Sequence, residues 1–162
     1  MRKLLCITQP STHPSFDTTV ALYQAWAQHQ AIELYHANAE GAVSEGSVRA
    51  CAITDSISYE DFLNLESSLA QEFPVSHFDL VFLRTDKPYP AGLFETCSTW
   101  EDDISFVNLA SATLNIETRI FLHQIAKDFI PPSILTRDKA EALQFARDRE
   151  RFIVKKNRSY GG

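Results

Sequence analysis

The stretch LLCITQPSTHPSFDTTVALYQAWAQHQAIELY, residues 4–35, decides the fold. Its first four residues form a short apolar run that ends near Pro10, which favours a buried strand. Apolar side chains then recur at spacings of three and four, as in one core-facing helix stripe; the stripe consists of Phe16, Val20, Tyr23 and Trp26 or Ala27. A second apolar run covers residues 32–35. Strand, helix and strand in this order predict the opening of an α/β fold with a parallel sheet.

The rest of the chain continues this pattern. The central predicted elements are a hairpin over 42–53, a partly helical connection over 56–71, a buried strand over 78–83, a helix over 93–100 and a strand over 104–107. The later ones are a helix from Asn115 to about Lys127, strands over 133–136 and 152–155, and a helix over 138–148 that begins with the capping-box spacing of Asp138 and Glu141. A double proline and a change of charge place the domain border near residues 127–132.

The composition is that of an ordinary globular protein. Of the 162 residues, 44% are hydrophobic and 22% are charged, which suits one domain, or one domain and a fragment of a second. No apolar run reaches the ~18–20 residues that cross a bilayer. The apolar stretch after Arg2 and Lys3 is broken at Thr8, so a secretory signal is not indicated. We therefore expect a cytoplasmic chain without a membrane partner.

The net charge of −6 conceals an asymmetry. Residues 1–135 carry 7 Lys and Arg against 17 Asp and Glu, a net charge of −10, whereas residues 136–162 carry 8 against 4, a net charge of +4. A basic tail suits a nucleic acid, a phosphate ligand or a solvated surface helix. Because the body is acidic and no nucleic-acid-binding signature accompanies the tail, a nucleic-acid partner is not expected. A phosphate ligand is still compatible with the tail.

Cysteine and histidine are scattered along the chain. Cys6, Cys51 and Cys97 are odd in number and far apart, so they predict neither a zinc site nor a disulfide framework. Cys6 lies in a predicted strand and is interpreted as a reduced core thiol. His13 and His123 have no carboxylate or serine partner that the sequence identifies. We therefore predict no metal site and no nucleophilic triad.

The stretch FIVKKNRSYGG, residues 152–162, carries the most chemistry. A predicted strand delivers Lys155, and a loop with Ser159, Gly161 and Gly162 follows. This design suits phosphate, because an ammonium group supplies charge and glycines let backbone N–H groups approach phosphate oxygens. It is not a Walker P-loop, because no helix carrying Gly-Lys-Ser/Thr follows. Taken alone, the pattern also fits a solvated turn after a strand.

The preceding residues give this loop a context. Residues 130–139 include a Pro-containing strand pattern that ends at Thr136, and a helix and residues 153–155 follow. This order resembles the opening of an ATP-grasp domain, which typically has such a strand, a helix, V-V-K-P and a Gly-rich loop. The resemblance implies an ATP-phosphate-binding set of Lys155, Ser159, Gly161 and Gly162. Lys156 departs from the usual Pro, and Ser159 from a frequent Gly.

The upstream residues narrow the family. Residues 83–90, LRTDKPYP, are similar to the R-x-D-P-P-like loop in the N-terminal domain of bacterial glutathione synthetases. Arg84, Asp86 and Pro88 match that loop, and the hairpin within residues 41–53 also resembles that domain. The resemblance spans essentially the whole chain and implies that Arg84 and Asp86 bind substrate. The two could instead be a local pair that shapes the turn.

The resemblance also implies an architecture. Residues 1–128 would be a Rossmann-like pre-ATP-grasp domain with a mainly parallel sheet, and residues 129–162 a small α+β beginning of an ATP-grasp domain. Near the junction the family tends to show N-K-P, whose lysine helps to hold nucleotide, whereas residues 108–110 read Asn-Leu-Ala. Three explanations stay open: the alignment is shifted, Arg119 compensates, or nucleotide binding is weaker.

The activity implied is that of an ATP-dependent ligase, which joins a carboxylate to an amine through an acyl phosphate, as in glutathione biosynthesis. ATP and Mg²⁺ would be its cofactors, an amino acid or small peptide such as γ-glutamylcysteine its substrate, and a homodimer or tetramer its assembly. The family's magnesium-binding carboxylates lie beyond the Gly-rich loop. We therefore expect no complete catalytic set, no tightly bound cofactor and no ligase activity from these residues alone. Two interpretations stay open: the N-terminal part of a longer ligase, and a stand-alone module for small-peptide binding or assembly.

Overall fold

The computed structural model describes residues 1–54, 56–65, 70–116 and 119–155. The chain forms two compact units, Met1–Thr113 and Leu114–Gly162. This division falls before the expected domain border at residues 128/129, which stays a prediction. The α/β class is confirmed, because the first unit contains both a sheet and helices that separate its strands at several points. No helix in the described part of the chain is long and apolar enough to cross a membrane.

The strands of the described residues all lie in the first unit. They are β1 (Arg2–Thr8), β2 (Ile32–Asn38), β3 (Val43–Ser44), β4 (Ser47–Ile53), β5 (Gln71–Pro74), β6 (Leu80–Leu83) and β7 (Ser105–Val107). The α-helices are α1 (Thr18–Ala27), α2 (Tyr59–Leu63), α3 (Leu93–Ser98), α4 (Ala110–Ile116), α5 (Arg119–Ile125) and α6 (Lys139–Arg147). The opening strand–helix–strand, the hairpin and the strand within residues 78–83 are thus confirmed.

The strands form one mixed sheet in the order β3-β4-β2-β1-β6-β7, and β5 also pairs with β4. β1 is parallel to both β2 and β6, and β6 is parallel to β7. β4 runs antiparallel to β2, β3 and β5. The sheet is therefore parallel over β2-β1-β6-β7 and antiparallel around β4, which a tight turn at Glu45-Gly46 joins to β3. Gly46 has a φ of +78°, which suits glycine at this turn.

The core lies around β1, where side chains of α1 and α2 join those of the strand in one apolar cluster. Leu5, Cys6 and Ile7 are completely buried, as expected of a central strand in a parallel block. The main apolar cluster consists of Leu4, Cys6, Val20, Tyr23, Leu34, Ile57, Phe62 and Phe82. The prediction that Phe16 belongs to the core stripe is wrong. Because α1 begins only after its N-cap Asp17, Phe16 lies in the preceding loop and is exposed.

The described residues of the second unit are helical or irregular. The strands predicted over residues 133–136 and 152–155 are wrong, since both segments are irregular and exposed or nearly so. A strand needs a neighbour to pair its backbone N–H and C=O groups, and the described residues of this unit supply none. Apolar composition alone favoured a strand here without revealing what it would pair with.

The helices near the junction differ from the prediction in their bounds. The helix expected from Asn115 to Lys127 is replaced by α4, which begins at Ala110, and by α5, which ends at Ile125. The prediction of α6 is confirmed, with Asp138 as its N-cap. The expected capping box is not formed, because the Glu141 carboxylate accepts a hydrogen bond from Thr136 Oγ1 at 2.5 Å instead.

Candidate functional site

Polar side chains meet at the point where the strand order reverses. β1 has β2 on one side and β6 on the other, and the chain enters β2 first and returns to β6 later. In open α/β sheets, ligands bind outside the carboxyl ends of the strands at such a point. The loop after β1 and the loop after β6 both leave the sheet there, so their side chains are neighbours.

His13 lies at the centre of this cluster and is 1% exposed. Its ring Nε2 is 2.9 Å from Thr8 Oγ1 at the end of β1, and its carbonyl oxygen accepts a hydrogen bond from the Tyr59 hydroxyl at 3.0 Å. Its Nδ1 has no hydrogen-bond partner. That atom faces two carboxylates, with Asp17 Oδ2 and Asp86 Oδ2 each at 3.5 Å.

Asp17 is fixed by the helix that it begins. As the N-cap of α1, its Oδ1 accepts the Thr19 backbone N–H at 2.6 Å, while Oδ2 faces His13. Partial burial opposes ionisation, but the hydrogen bonds from Thr19 and the nearby His13 outweigh it and hold the pKa of Asp17 at about 2. Asp17 is therefore a permanent negative charge at neutral pH.

Arg84 follows β6 directly and lies against the first turn of α1. Its Nε donates to the Thr19 hydroxyl, and its Nη2 donates to the Thr18 hydroxyl at 3.2 Å. The same Nη2 is 3.6 Å from Asp17 Oδ1. The alternative of a local pair between Arg84 and Asp86 is therefore wrong, since Arg84 pairs with Asp17 and Asp86 faces His13.

Asp86 lies at the solvent-exposed side of the cluster, because its side chain is 58% exposed. Asp17 and Asp86 supply two negative charges, and Arg84 offsets one of them. These three side chains together therefore carry a formal charge of about −1. Such a site attracts a cationic group, either the ammonium of a small molecule or a metal ion, more than an isolated phosphate.

The other predicted site residues belong to the second unit, Leu114–Gly162. Lys155 is exposed and lies in an irregular segment of the second unit. Arg119 begins α5, but its side chain lies outside the described residues, and so do Ser159, Gly161 and Gly162. Lys155 by itself does not define a nucleotide site, so ATP and Mg²⁺ stay predictions that rest on the resemblance.

Sequence reasoning missed His13, Asp17 and Thr8 as site residues. The sequence identified no carboxylate partner of His13, whereas the structure gives it Asp17 and Asp86. A usable signal was present: His13 and Asp17 follow a predicted strand, and Asp86 follows another. The carboxyl ends of neighbouring parallel strands meet at one edge. Only the pairing of β1 with β6, which local patterns do not specify, brings the two loops together.

A second concave feature lies at the ends of β2 and β4. It is a cavity of about 180 Å³, and its polar or sulfur-bearing lining includes His36, Glu40, Arg49 and Cys51. His36 is 2% exposed, and its Nδ1 is 2.9 Å from the Tyr23 hydroxyl, while its Nε2 has no hydrogen-bond partner. Burial lowers the pKa of His36 to about 4, so the ring is neutral at physiological pH.

The fold and the cluster together give an α/β unit with a cluster of charged side chains at the carboxyl edge of its parallel strands. Comparison of the chain with the models of known protein families gives no match, and no curated protein matches it. The site is therefore interpreted from its own geometry.

Proposed function

We propose that residues 1–113 form the substrate-binding part of an ATP-dependent carboxylate–amine ligase similar to bacterial glutathione synthetase. The observation that carries the proposal is the convergence of Asp17, Arg84 and Asp86 at the carboxyl edge between β1 and β6. An amino acid or small peptide presents an ammonium and a carboxylate close together. Asp86 would bind the ammonium, and Arg84 the carboxylate.

The exposure of these two side chains supports this assignment. Asp86 is more than half exposed, and the Arg84 side chain is 36% exposed. Among the described residues, the contacts of Arg84 use Nε and Nη2, so its Nη1 is available to a ligand. The threonine contacts hold the guanidinium in place, which reduces the entropy lost on binding.

The ligase class rests on resemblance, in the loop of residues 83–90 and in the order of segments from 130 to 155. A Rossmann-like pre-ATP-grasp architecture belongs to the same proposal, and the parallel β2-β1-β6-β7 block is compatible with it. ATP and Mg²⁺ would be cofactors of the ligase.

Isothermal titration with γ-glutamylcysteine tests the binding site. Arg84→Ala and Asp86→Asn should each weaken binding by about tenfold or more, since a charge-assisted contact contributes roughly 1.5–3 kcal/mol. Arg2→Ala is the matched control. Arg2 pairs with Asp79 beside the opposite, amino end of β1, so its loss should leave binding unchanged. Absence of binding by the natural chain, or equal weakening in the control, would contradict the site.

The ligase class has its own test. In the intact protein, Lys155→Ala should abolish ADP release that depends on γ-glutamylcysteine and glycine, while the thermal unfolding midpoint stays unchanged because Lys155 is exposed. Unchanged turnover would remove Lys155 from the proposed nucleotide site.

A stand-alone peptide-binding module is the second candidate. It is favoured by the fact that the whole charged cluster lies within one compact unit, Met1–Thr113. Peptide affinity that is the same with and without ATP, together with no ADP release, would favour this module over the ligase.

A further inference from the structure

Three potential metal ligands converge in the charged cluster. His13 Nδ1 and one carboxylate oxygen each from Asp17 and Asp86 lie within 4.8 Å of one another. The two nitrogen–oxygen distances are 3.5 Å. Ligand atoms 2.0–2.1 Å from a tetrahedral zinc ion lie roughly 3.4 Å apart. The three side chains therefore need little movement to hold a cation between them.

His13 provides an independent reason to expect a ligand here. Its side chain is completely buried, yet Nδ1 makes no hydrogen bond, and a buried polar atom without a partner is energetically unfavourable. Thr8 Oγ1 lies 2.9 Å from the opposite nitrogen, Nε2. When Nε2–H donates to that hydroxyl, the Nδ1 lone pair points at the two carboxylates. Such support at the second ring nitrogen is the usual arrangement of a metal-binding histidine.

The surroundings leave the cluster able to accept a cation. Arg84 and the Thr19 amide engage Oδ1 of Asp17, and it is Oδ2 that faces His13. Asp86 is largely exposed, which provides an entry path and leaves coordination positions for water or substrate. Imidazole nitrogen combined with carboxylate oxygen suits Zn²⁺ or Mn²⁺, whereas Mg²⁺ prefers oxygen ligands alone.

We propose that His13, Asp17 and Asp86 bind one divalent transition-metal ion of the Zn²⁺ or Mn²⁺ type at the carboxyl edge of β1 and β6. The proposal rests on the proposed ligand site in one respect, because Asp86 belongs to both. The ion would lie beside the substrate position and could orient a substrate carboxylate. The competing interpretation is an imidazolium held between the two carboxylates without any metal.

The test is titration of the tag-free, chelator-treated full chain with Zn²⁺, Mn²⁺ and Mg²⁺ by calorimetry, with native mass spectrometry for the stoichiometry. We expect one Zn²⁺ or Mn²⁺ per chain and much weaker binding of Mg²⁺. Asp86→Asn should weaken binding about ten- to a hundredfold. Asp102→Asn is the matched control, because Asp102 is an exposed carboxylate in the turn after α3, and it should bind as the natural chain does.

Cobalt substitution identifies the ligands independently. Co²⁺ in this site should show visible d–d bands without the strong thiolate charge-transfer band of a cysteine ligand, and His13→Gln should abolish those bands. Because His13 is buried, circular dichroism must show that this variant is folded. If it is not, Asp17→Asn replaces it, since asparagine retains the capping oxygen.

Each outcome is decisive for one proposal. No stoichiometric metal, or equal weakening by Asp86→Asn and Asp102→Asn, would overturn the metal site. Peptide binding that persists in excess chelator would then leave the proposed ligand site standing. Metal binding without any peptide affinity would leave the metal site standing and would overturn the proposed ligand site.

Discussion

At the scale of single residues, two buried histidines lie at neighbouring strand ends in different surroundings. His13 faces the carboxylates of Asp17 and Asp86. His36 is bonded to the Tyr23 hydroxyl and lines a small cavity. Burial alone accounts for the lowered pKa of His36, and this has a measurable consequence for stability.

The stability of the fold should fall as the pH falls from about 6.5 to about 4. In the unfolded chain His36 takes up a proton near pH 6.5, whereas the folded chain keeps it neutral down to about pH 4. The unfolded state therefore binds more protons in this window, and the lost stability is on the order of 3 kcal/mol. Urea unfolding at pH 7 and pH 5 should show about 2 kcal/mol of this loss, because pH 5 lies within the window and not at its lower end.

His36→Asn retains an acceptor for Tyr23 and removes the titrating ring, so its stability should depend less on pH between 7 and 5. His29→Asn is the control, because His29 is exposed. An unchanged pH slope in His36→Asn would contradict the assignment to His36.

Asp17 provides a second test at this scale. Asp17→Ala removes the N-cap of α1 and the ion pair with Arg84, so it should destabilise the fold by about 1–2 kcal/mol in urea unfolding at pH 7. Asp17→Asn should lose less, because its side-chain oxygen still accepts the Thr19 amide. Equal losses in the two variants would show that the charge, and not the cap, provides the stability.

At the scale of elements, the short helix α2 holds the loop that carries His13. Phe62 is completely buried and packs edge-on against Tyr23, with ring centroids 5.0 Å apart. Tyr59 donates from the same helix to the His13 carbonyl. A capping box between Ser58 and Asp61 fixes the start of the helix. The geometry of the site therefore depends on a helix of only five residues.

Phe62→Ala should destabilise the fold by about 3–5 kcal/mol, because it leaves a cavity in the core. Leu63→Ala is the control in the same helix. Leu63 is 38% exposed, and its truncation should cost about 1 kcal/mol or less. Both values come from urea unfolding, and similar losses would mean that α2 does not pack as described.

The elements also show what the sequence could predict. Residues 4–7 and 80–83 were predictable strands because each is an apolar run of the right length, and both are buried in the sheet. Residues 152–154 are equally apolar but exposed. The difference is the presence of a pairing partner, which composition does not record. For the same reason Arg84 and Asp86 were predictable as loop residues, whereas their meeting with His13 and Asp17 depends on strand order.

At the scale of the whole molecule, the strands of the described residues and the apolar core cluster all belong to the unit Met1–Thr113. A chain of this size can bury enough surface to fold by itself. Residues 1–116, which include all of α4, should therefore unfold in one cooperative transition. Tryptophan fluorescence reports on it, because Trp26 and Trp100 both lie in this unit.

Far-ultraviolet circular dichroism should give the same midpoint as the fluorescence. Transitions that do not coincide, or no transition at all, would show that the fold of this unit depends on residues of the second unit. The same fragment should also retain the peptide and metal affinities proposed for the edge of β1 and β6.

The Asp17 cap has one more consequence, which concerns isotope exchange. The Thr19 amide donates a hydrogen bond to Asp17 Oδ1, so its hydrogen exchanges with deuterated solvent only when this hydrogen bond opens. A ligand or cation that engages the other oxygen of Asp17 restrains the same group, and it should slow exchange at Thr19. Occupancy of the cluster can thus be followed at a single backbone position by mass spectrometry, without a chromophore or an engineered label.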